Sequence, residues 1–459
     1  MGWGFDSKSR KERQVTPVEE RESNVLGTAP IGRLMLKLAV PAVAAQFINM
    51  LYNIVDRIYI GHIPENGALA LTGVGVCMPL IMIVSAFAAL VGNGGAPRAS
   101  IFMGKGDKES AERTLGNCFT TQIIVSLLLT IILFTGNRSF LMAFGASENT
   151  LFYAKEYIGI ILLGCTFNIL SFALNSTVRA DGNPKMSSIT MVIGCGANII
   201  LDYLFIFVLN LGVKGAALAT IISQAITFFI ILYYYTAGNS NLKLKIENFK
   251  LKKHLVTMTF AIGIAPFATQ IANSLVQVIA NNALKTYGSD LAIGAMTVIS
   301  SLNIIFMMPI FGINQGCQPI IGFNYGAKKY ERAKEAFKYA TIAACVICII
   351  GFISIQCFPT QIISLFNNDH ELTTLAIKGI RIYLLMMPVV GINIVATSYY
   401  QSIGKAKISM FVSLLRQVIL LIPFTIILPK FIGLDGVWAA GACADSLSVI
   451  ITLILLKKE

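Results

Sequence analysis

The chain has 459 residues, 55% hydrophobic and only 13% charged, with a mean hydropathy of +0.72. A soluble globular chain carries about 25% charged residues, so the composition excludes an ordinary soluble domain and indicates a polytopic membrane protein. The net charge of +13 does not indicate a nucleic-acid partner, because the basic residues sit in short loops between apolar runs, as topology signals do.

In chain order, residues 1–30 are polar, mix both charge signs and lack the apolar core of a signal peptide; they read as a mobile cytoplasmic tail. From Ile31 onward twelve apolar runs are each long enough to cross about 30 Å of hydrocarbon. They fall near 34–61, 69–103, 116–135, 152–179, 186–209, 213–236, 256–285, 291–323, 336–358, 373–402, 407–429 and 434–456. The expected fold is all-α and integral to the membrane, with a first lobe over 31–236, a cytoplasmic linker over 237–255 and a second lobe over 256–459.

Orientation follows from the loops. One set holds Lys105, Lys108 and Arg113, then Lys243, Lys245, Lys250, Lys252 and Lys253, then Lys328, Lys329, Arg332 and Lys334. The alternate set holds chiefly Arg138, Lys214, Lys285 and Lys430. The positive-inside rule then places both termini in the cytoplasm, with the chain in the cell membrane.

An internal repeat sets the architecture. Gly94 pairs with Gly316, Pro97 with Pro319, Gly104 with Gly326, Ala111 with Ala333, Gly182 with Gly404 and Lys185 with Lys407, each at an offset of 222 (316 − 94). Gln46 and Asn49 match Gln270 and Asn273 at 224 (270 − 46). Six spans per half bring both halves in from the same side, so a pseudo-two-fold axis along the membrane normal is expected, with substrate bound between the halves.

Polar residues inside such spans are expensive and point to function. Asp202 lies in an otherwise apolar run with Asn198 one helical turn before it, so that an amide oxygen and a carboxylate share a face, as a small cation or proton requires. At 1.5 Å per residue, Asp56, Asp202 and Thr220 all lie roughly 8 to 12 Å below the outer surface. With Asn198 they form a candidate cation site; the competing reading satisfies each acid separately through hydroxyls or backbone.

The second half does not copy this site, since Asp202 meets Phe424 at offset 222 and Asp56 meets Ala280 at 224. It carries Arg416 and Asp445 instead, at matching depths in a core about 30 Å thick, so a contact between them, direct or through water, is expected; the competing reading is two unrelated cavity-facing charges. Gln46, Asn49, Asn53 and Asp56 form one stripe on the first span, and Gln270, Asn273, Gln277 and Asn281 repeat it on the seventh. Facing amide stripes suit a wet central cavity, with Tyr52 adding apolar surface, or else they act as interhelical glue. The nine cysteines lie in or beside apolar runs and read as packing residues; the three histidines show no ligand spacing, so neither a metal centre nor a catalytic site is visible.

These features resemble the multidrug and toxic compound extrusion (MATE) family over nearly all of the chain from Leu26. The residues that carry the resemblance are Pro41, Val55-Asp-Arg-Ile-Tyr-Ile-Gly61, Gly104-Lys-Gly-Asp107, Arg179-Ala-Asp-Gly-Asn-Pro-Lys185, Asn198 through Asp202, Gly215-Ala-Ala-Leu-Ala-Thr220 and Gly404-Lys-Ala-Lys407. The opening Leu26-Gly-Thr-Ala-Pro-Ile31 is most similar to the MepA-like bacterial branch. The resemblance implies a secondary antiporter that expels organic, usually cationic, compounds in exchange for sodium or protons, with no other cofactor. It also implies a first-half cation site on Asp56, Asn198, Asp202 and Thr220. The second-half acids that some members use are missing.

Gln46, Asn49, Tyr52, Asn53, Gln270, Asn273, Gln277, Arg416 and Asp445 are the candidate cavity residues. Expected partners are drug-like organic cations and membrane lipids, with the chain as a monomer. The alternative is a flippase for lipid-linked anionic precursors, with Arg98, Arg381 and Arg416 against phosphates. It requires a strongly cationic cavity, which the acids at 56, 202 and 445 oppose. An enzyme lacks a visible nucleophile and base, and a channel suits discrete buried acids less well than alternating access does.

Overall fold

The computed structural model describes residues 25–63, 67–144, 148–288, 290–364 and 370–458, and no strand occurs among them. In chain order the first lobe holds α1 (Ile31–Gly61), α2 (Gly67–Gly104), α3 (Lys108–Thr135), α4 (Glu148–Leu163), α5 (Cys165–Ala180), α6 (Pro184–Tyr203) and α7 (Gly212–Thr236). The second holds α8 (Lys253–Tyr287), α9 (Asp290–Gly326), α10 (Tyr330–Cys357), α11 (His370–Tyr383), α12 (Met387–Ser402), α13 (Ala406–Leu414) and α14 (Leu434–Lys457). Ten helical stretches are long and apolar enough to cross a membrane singly, and two bent pairs bring the total to twelve.

The bends are a feature the apolar runs near 152–179 and 373–402 do not announce. The α4–α5 pair turns by 54° around Gly164 and the α11–α12 pair by 55° before Met387. Gly164 and Met386, the residues preceding α5 and α12, are again 222 apart (386 − 164), so the bend belongs to the repeated unit.

The same offset reaches the lipid-facing surface. The exposed apolar side chains on α3 include Ile124, Leu127, Leu128 and Ile131, and those on α10 include Val346, Ile349, Ile350 and Ile353, each 222 later (346 − 124). Apolar side chains exposed at helical spacing on a bundle's rim face hydrocarbon, where a soluble helix would place charge. Two helices depart from α geometry: α6 runs on into a π-helical turn at Leu204–Val208, and α13 into a longer one at Leu415–Leu421. These turns are not at equivalent positions.

The lobes meet on the half that carries the basic loops. Gly104 of α2 faces the Phe323 carbonyl, from which a Cβ would stand 2.0 Å, and Gly326 of α9 faces the Ile101 carbonyl at 2.2 Å. Ile101 and Phe323 are themselves 222 apart, so the contact is reciprocal about the pseudo-two-fold axis. Gly94 lies against Thr259 and Gly263 against Leu90 in the same backbone-to-backbone manner. Only a residue without Cβ fits there, as at the small-residue contacts of other membrane helices.

Residues 1–24 lie outside the described residues, and ahead of α1 the residues from Leu26 to Ala29 contact the second lobe. Leu26 is buried. Its carbonyl accepts from Asn324 Nδ2 at 3.0 Å, the Gly27 carbonyl from Lys329 Nζ at 2.9 Å and the Ala29 carbonyl from Arg332 at 2.6 Å. The segment is therefore fastened to the loop that joins α9 and α10. The physical reason is a set of backbone acceptors within reach of basic side chains, which charge counting alone assigns to topology.

The segment between the lobes is also laid down firmly. Asn117 of α3 accepts from the Lys252 backbone N–H at 2.7 Å, and buried Glu112 accepts from the Lys243 N–H and pairs with Lys245. Asp181, at the turn between α5 and α6, accepts from Tyr234 Oη at 2.6 Å and from the Asn241 and Leu242 N–H groups. Burial pushes its carboxyl up to about 7 against those three donors.

Candidate functional site

The local sequence explains how the site is mounted. Gly182 takes a positive φ of 92° to end α5, and the Asn183 side chain accepts from the Met186 N–H while Pro184 opens α6. That turn starts α6 on a fixed register and carries Asn198 and Asp202 inward; they are 1% and 0% exposed. The run Gly215-Ala-Ala-Leu-Ala-Thr220 lets α7 approach the π turn after α6, with Gly215 so close to Phe205 that a Cβ would stand 2.8 Å from its carbonyl carbon. Thr220 is thereby brought beside Asn198.

Asp56 of α1 faces Asp202 at hydrogen-bonding range. The Asn198 amide, oriented by its network, donates through Nδ2 to Asp202 Oδ2 at 2.9 Å and accepts through its oxygen from the Thr220 backbone N–H at 3.2 Å. Thr220 Oγ1 donates to the Ala216 carbonyl at 3.0 Å. The second carboxylate oxygen, Asp202 Oδ1, is buried without a donor. Asp56, Asn198, Asp202 and Thr220 are therefore clustered as their depths predict, with the Asn198 amide set between Asp202 and the Thr220 backbone.

Two carboxylates at this range repel when both are ionised, so a proton shared between them or a cation held against them relieves the arrangement. The buried, undonated Oδ1 fits either. Tyr52 and Tyr157 stand beside both acids; Tyr157, delivered by α4, was not among the sequence candidates.

Next to the acids a cavity of about 650 Å³ opens between the lobes. Gln46, Asn49 and Tyr52 of α1, Asn198 of α6 and Gln270 of α8 line it. The Asn53 side chain lies outside the described residues. Asn273 and Gln277 are exposed and do not line this cavity, because the α8 stripe turns away from it beyond Gln270. Arg416 and Asp445 do not line it either; they form an ion pair within the second lobe, with side chains 24% and 8% exposed. The expected contact between them is present, and it consumes the charges that were candidates for the cavity.

Sequence reasoning missed most of the wall. Asn168, Ser171, Asn175 and Arg179 of α5 and Asn314, Gln315 and Gln318 of α9 line the cavity. The α5 residues recur at spacings of 3, 4 and 4, a helical polar stripe that could have been found. The cavity floor is closed where Gln401 of α12 donates to the Asn93 carbonyl of α2 at 2.8 Å.

Two six-span lobes around a polar cavity, with an acid pair next to it in one, define a two-lobe membrane transporter. The chain belongs to the MatE family, whose model matches it twice, over residues 41–204 and 266–427, once in each lobe. Its relatives include the multidrug export protein MepA of Staphylococcus haemolyticus (strain JCSC1435), 25% identical over 426 residues and 93% of either chain. The protein of that name from Staphylococcus aureus (strain MSSA476) is 24% identical over 428 residues, 93% of this chain and 94% of that one. The fold is shared with a crystal structure of MATE in complex with MaL6, at a TM-score of 0.88 and 22% identity over 96% of this chain and 98% of that one. An outward-facing conformation of a multidrug resistance MATE family transporter superposes with a TM-score of 0.87 at 23% identity, over 95% and 97% of the two chains.

Proposed function

We propose that the chain is a secondary active exporter in the cell membrane that expels drug-like organic, mainly cationic, compounds in exchange for H+ or Na+. Asp56 and Asp202, with Asn198 and Thr220, form the coupling site, and the compound occupies the cavity between the lobes. The observation that carries this reading is the acid pair itself, buried with an undonated oxygen and joined to the cavity through Asn198. Cation binding there changes the balance between access states only through differential affinity for them. Both termini lie in the cytoplasm, so the glycine seam closes the cytoplasmic side.

The flippase alternative is less well supported, because Arg179 is the one charged side chain among the described cavity-lining residues. In proteoliposomes a proton gradient should drive uptake of a fluorescent organic cation, with a sodium gradient as the matched arm. Unchanged gradient-driven flux in both Asp202→Asn and Asp56→Asn would overturn the coupling assignment.

A further inference from the structure

Arg179 is the exception in an otherwise uncharged wall. It sits near the end of α5, more than nine-tenths buried, and lines the cavity. Its guanidinium donates to Asn175 Oδ1 at 2.7 Å, Ser187 Oγ at 3.0 Å and Ser176 Oγ at 2.9 Å, while Nε is buried without an acceptor. Among the described residues no carboxylate is hydrogen-bonded to it. Asp181, two residues on, is taken by Tyr234, Asn241 and Leu242, and the ionisable neighbour acting on Arg179 is the Tyr235 phenol.

A buried guanidinium held in place by neutral oxygens is costly unless an anion completes it, and its planar fork matches a carboxylate or sulfonate. The neutral partners fix the fork without cancelling its charge. At the opposite end of the cavity Asn198 leads to the acid pair. Ser187, which touches Arg179, and Asn198 lie on the same helix, eleven residues or roughly 16 Å apart. Tyr52, Phe172 and Phe311 supply aromatic surface in the same cavity. The wall is thus positive at one end and acid-backed at the other, with aromatic surface in the same cavity.

We infer that Arg179 is a subsite for an anionic group on the transported compound, so that the cavity prefers amphoteric aromatic carboxylates over their purely cationic esters. This rests on the drug-binding reading of the cavity given above. The competing role is a latch that only joins α5 to α6.

The test uses the full-length protein in lipid nanodiscs, titrated by fluorescence anisotropy with rhodamine B, which carries a free carboxylate, and with its ethyl ester. Wild type should bind the acid about tenfold more tightly than the ester, the low end for a hydrogen-bonded charge pair. Arg179→Gln should bring that ratio close to one. Arg179→Lys, which keeps the charge without the three-bond fork, should hold part of the preference. A wild-type ratio near one or below overturns the inference while leaving the drug-binding reading intact, and it needs no variant to fold. Equal loss of both dyes in Arg179→Gln and Arg179→Lys assigns the residue to the latch and also overturns it. If neither dye binds wild type, the reading of the cavity fails and the subsite fails with it.

Discussion

Each lobe buries an aspartate in its helical core, and the two are treated in opposite ways. Asp202 has an asparagine and a second acid beside it, and one oxygen without a donor. Asp445 has Arg416, which reaches both of its oxygens. The first arrangement is completed by something that can arrive and leave, the second by a fixed side chain. A buried acid supplied with a permanent counter-charge gains nothing from an external cation, so under the proposed function the lobes divide labour, the first binding the coupling ion and the second keeping its shape.

The sharpest way to break this comparison is to neutralise both aspartates. Asp202→Asn should reduce gradient-driven efflux by about 100-fold, near the top of the usual range for coupling between sites, with the fold retained. Asp445→Asn should instead lower stability by about 3 kcal/mol, because it leaves a buried guanidinium uncompensated. Thermal unfolding in detergent beside vesicle transport separates the two effects. Similar transport and stability losses in both variants would end the division of labour. The charge swap Arg416→Asp with Asp445→Arg should recover part of the stability that either single change loses.

A smaller effect tests whether the lobes are equivalent where they touch. Gly104→Ala and Gly326→Ala each put a Cβ against the other lobe's backbone, and overpacking of this kind costs roughly 1–3 kcal/mol. Spin-label distances across the basic-loop face should lengthen to a similar degree in both. A shift in one variant alone would show that the two-fold relation seen in the backbone does not extend to its energetics.

A pH-dependent effect concerns the turn that fixes α6, where Asp181 has the uncharged Ile403 as its counterpart in the second lobe. With its folded-state pKa raised to about 7 from 3.8, Asp181 binds more protons folded than unfolded. Stability therefore falls as pH rises between about 4 and about 7 and levels off above that. The difference in thermal midpoint between wild type and Asp181→Asn should follow this course. A difference independent of pH would remove the titration at this site.

Much of this contrast can be read from one strand of text because depth in a membrane is proportional to position along a helix. That proportionality brings Asp56 to Asp202 and Arg416 to Asp445, and the offset of 222 locates both lobes. It fails where direction matters more than depth. The stripe on α8 keeps its helical spacing, yet it leaves the cavity after Gln270. The orientation of the Asn198 amide depends on the Thr220 backbone, which no local pattern encodes. Arg179 was visible as part of a motif, yet its place in the cavity emerges only once α5 is seen to carry a polar stripe into it.

The glycine seam has a mechanical consequence. Where Gly104 and Gly326 meet carbonyl oxygens across the axis, there are few rotamers to freeze on closing and few side chains to disentangle on opening. What separates is mainly backbone, which water can solvate. In the proposed transport cycle the seam serves as a low-friction joint, and the attachments that must rearrange lie elsewhere, among them the carbonyl contacts of residues 26–29 with Asn324, Lys329 and Arg332.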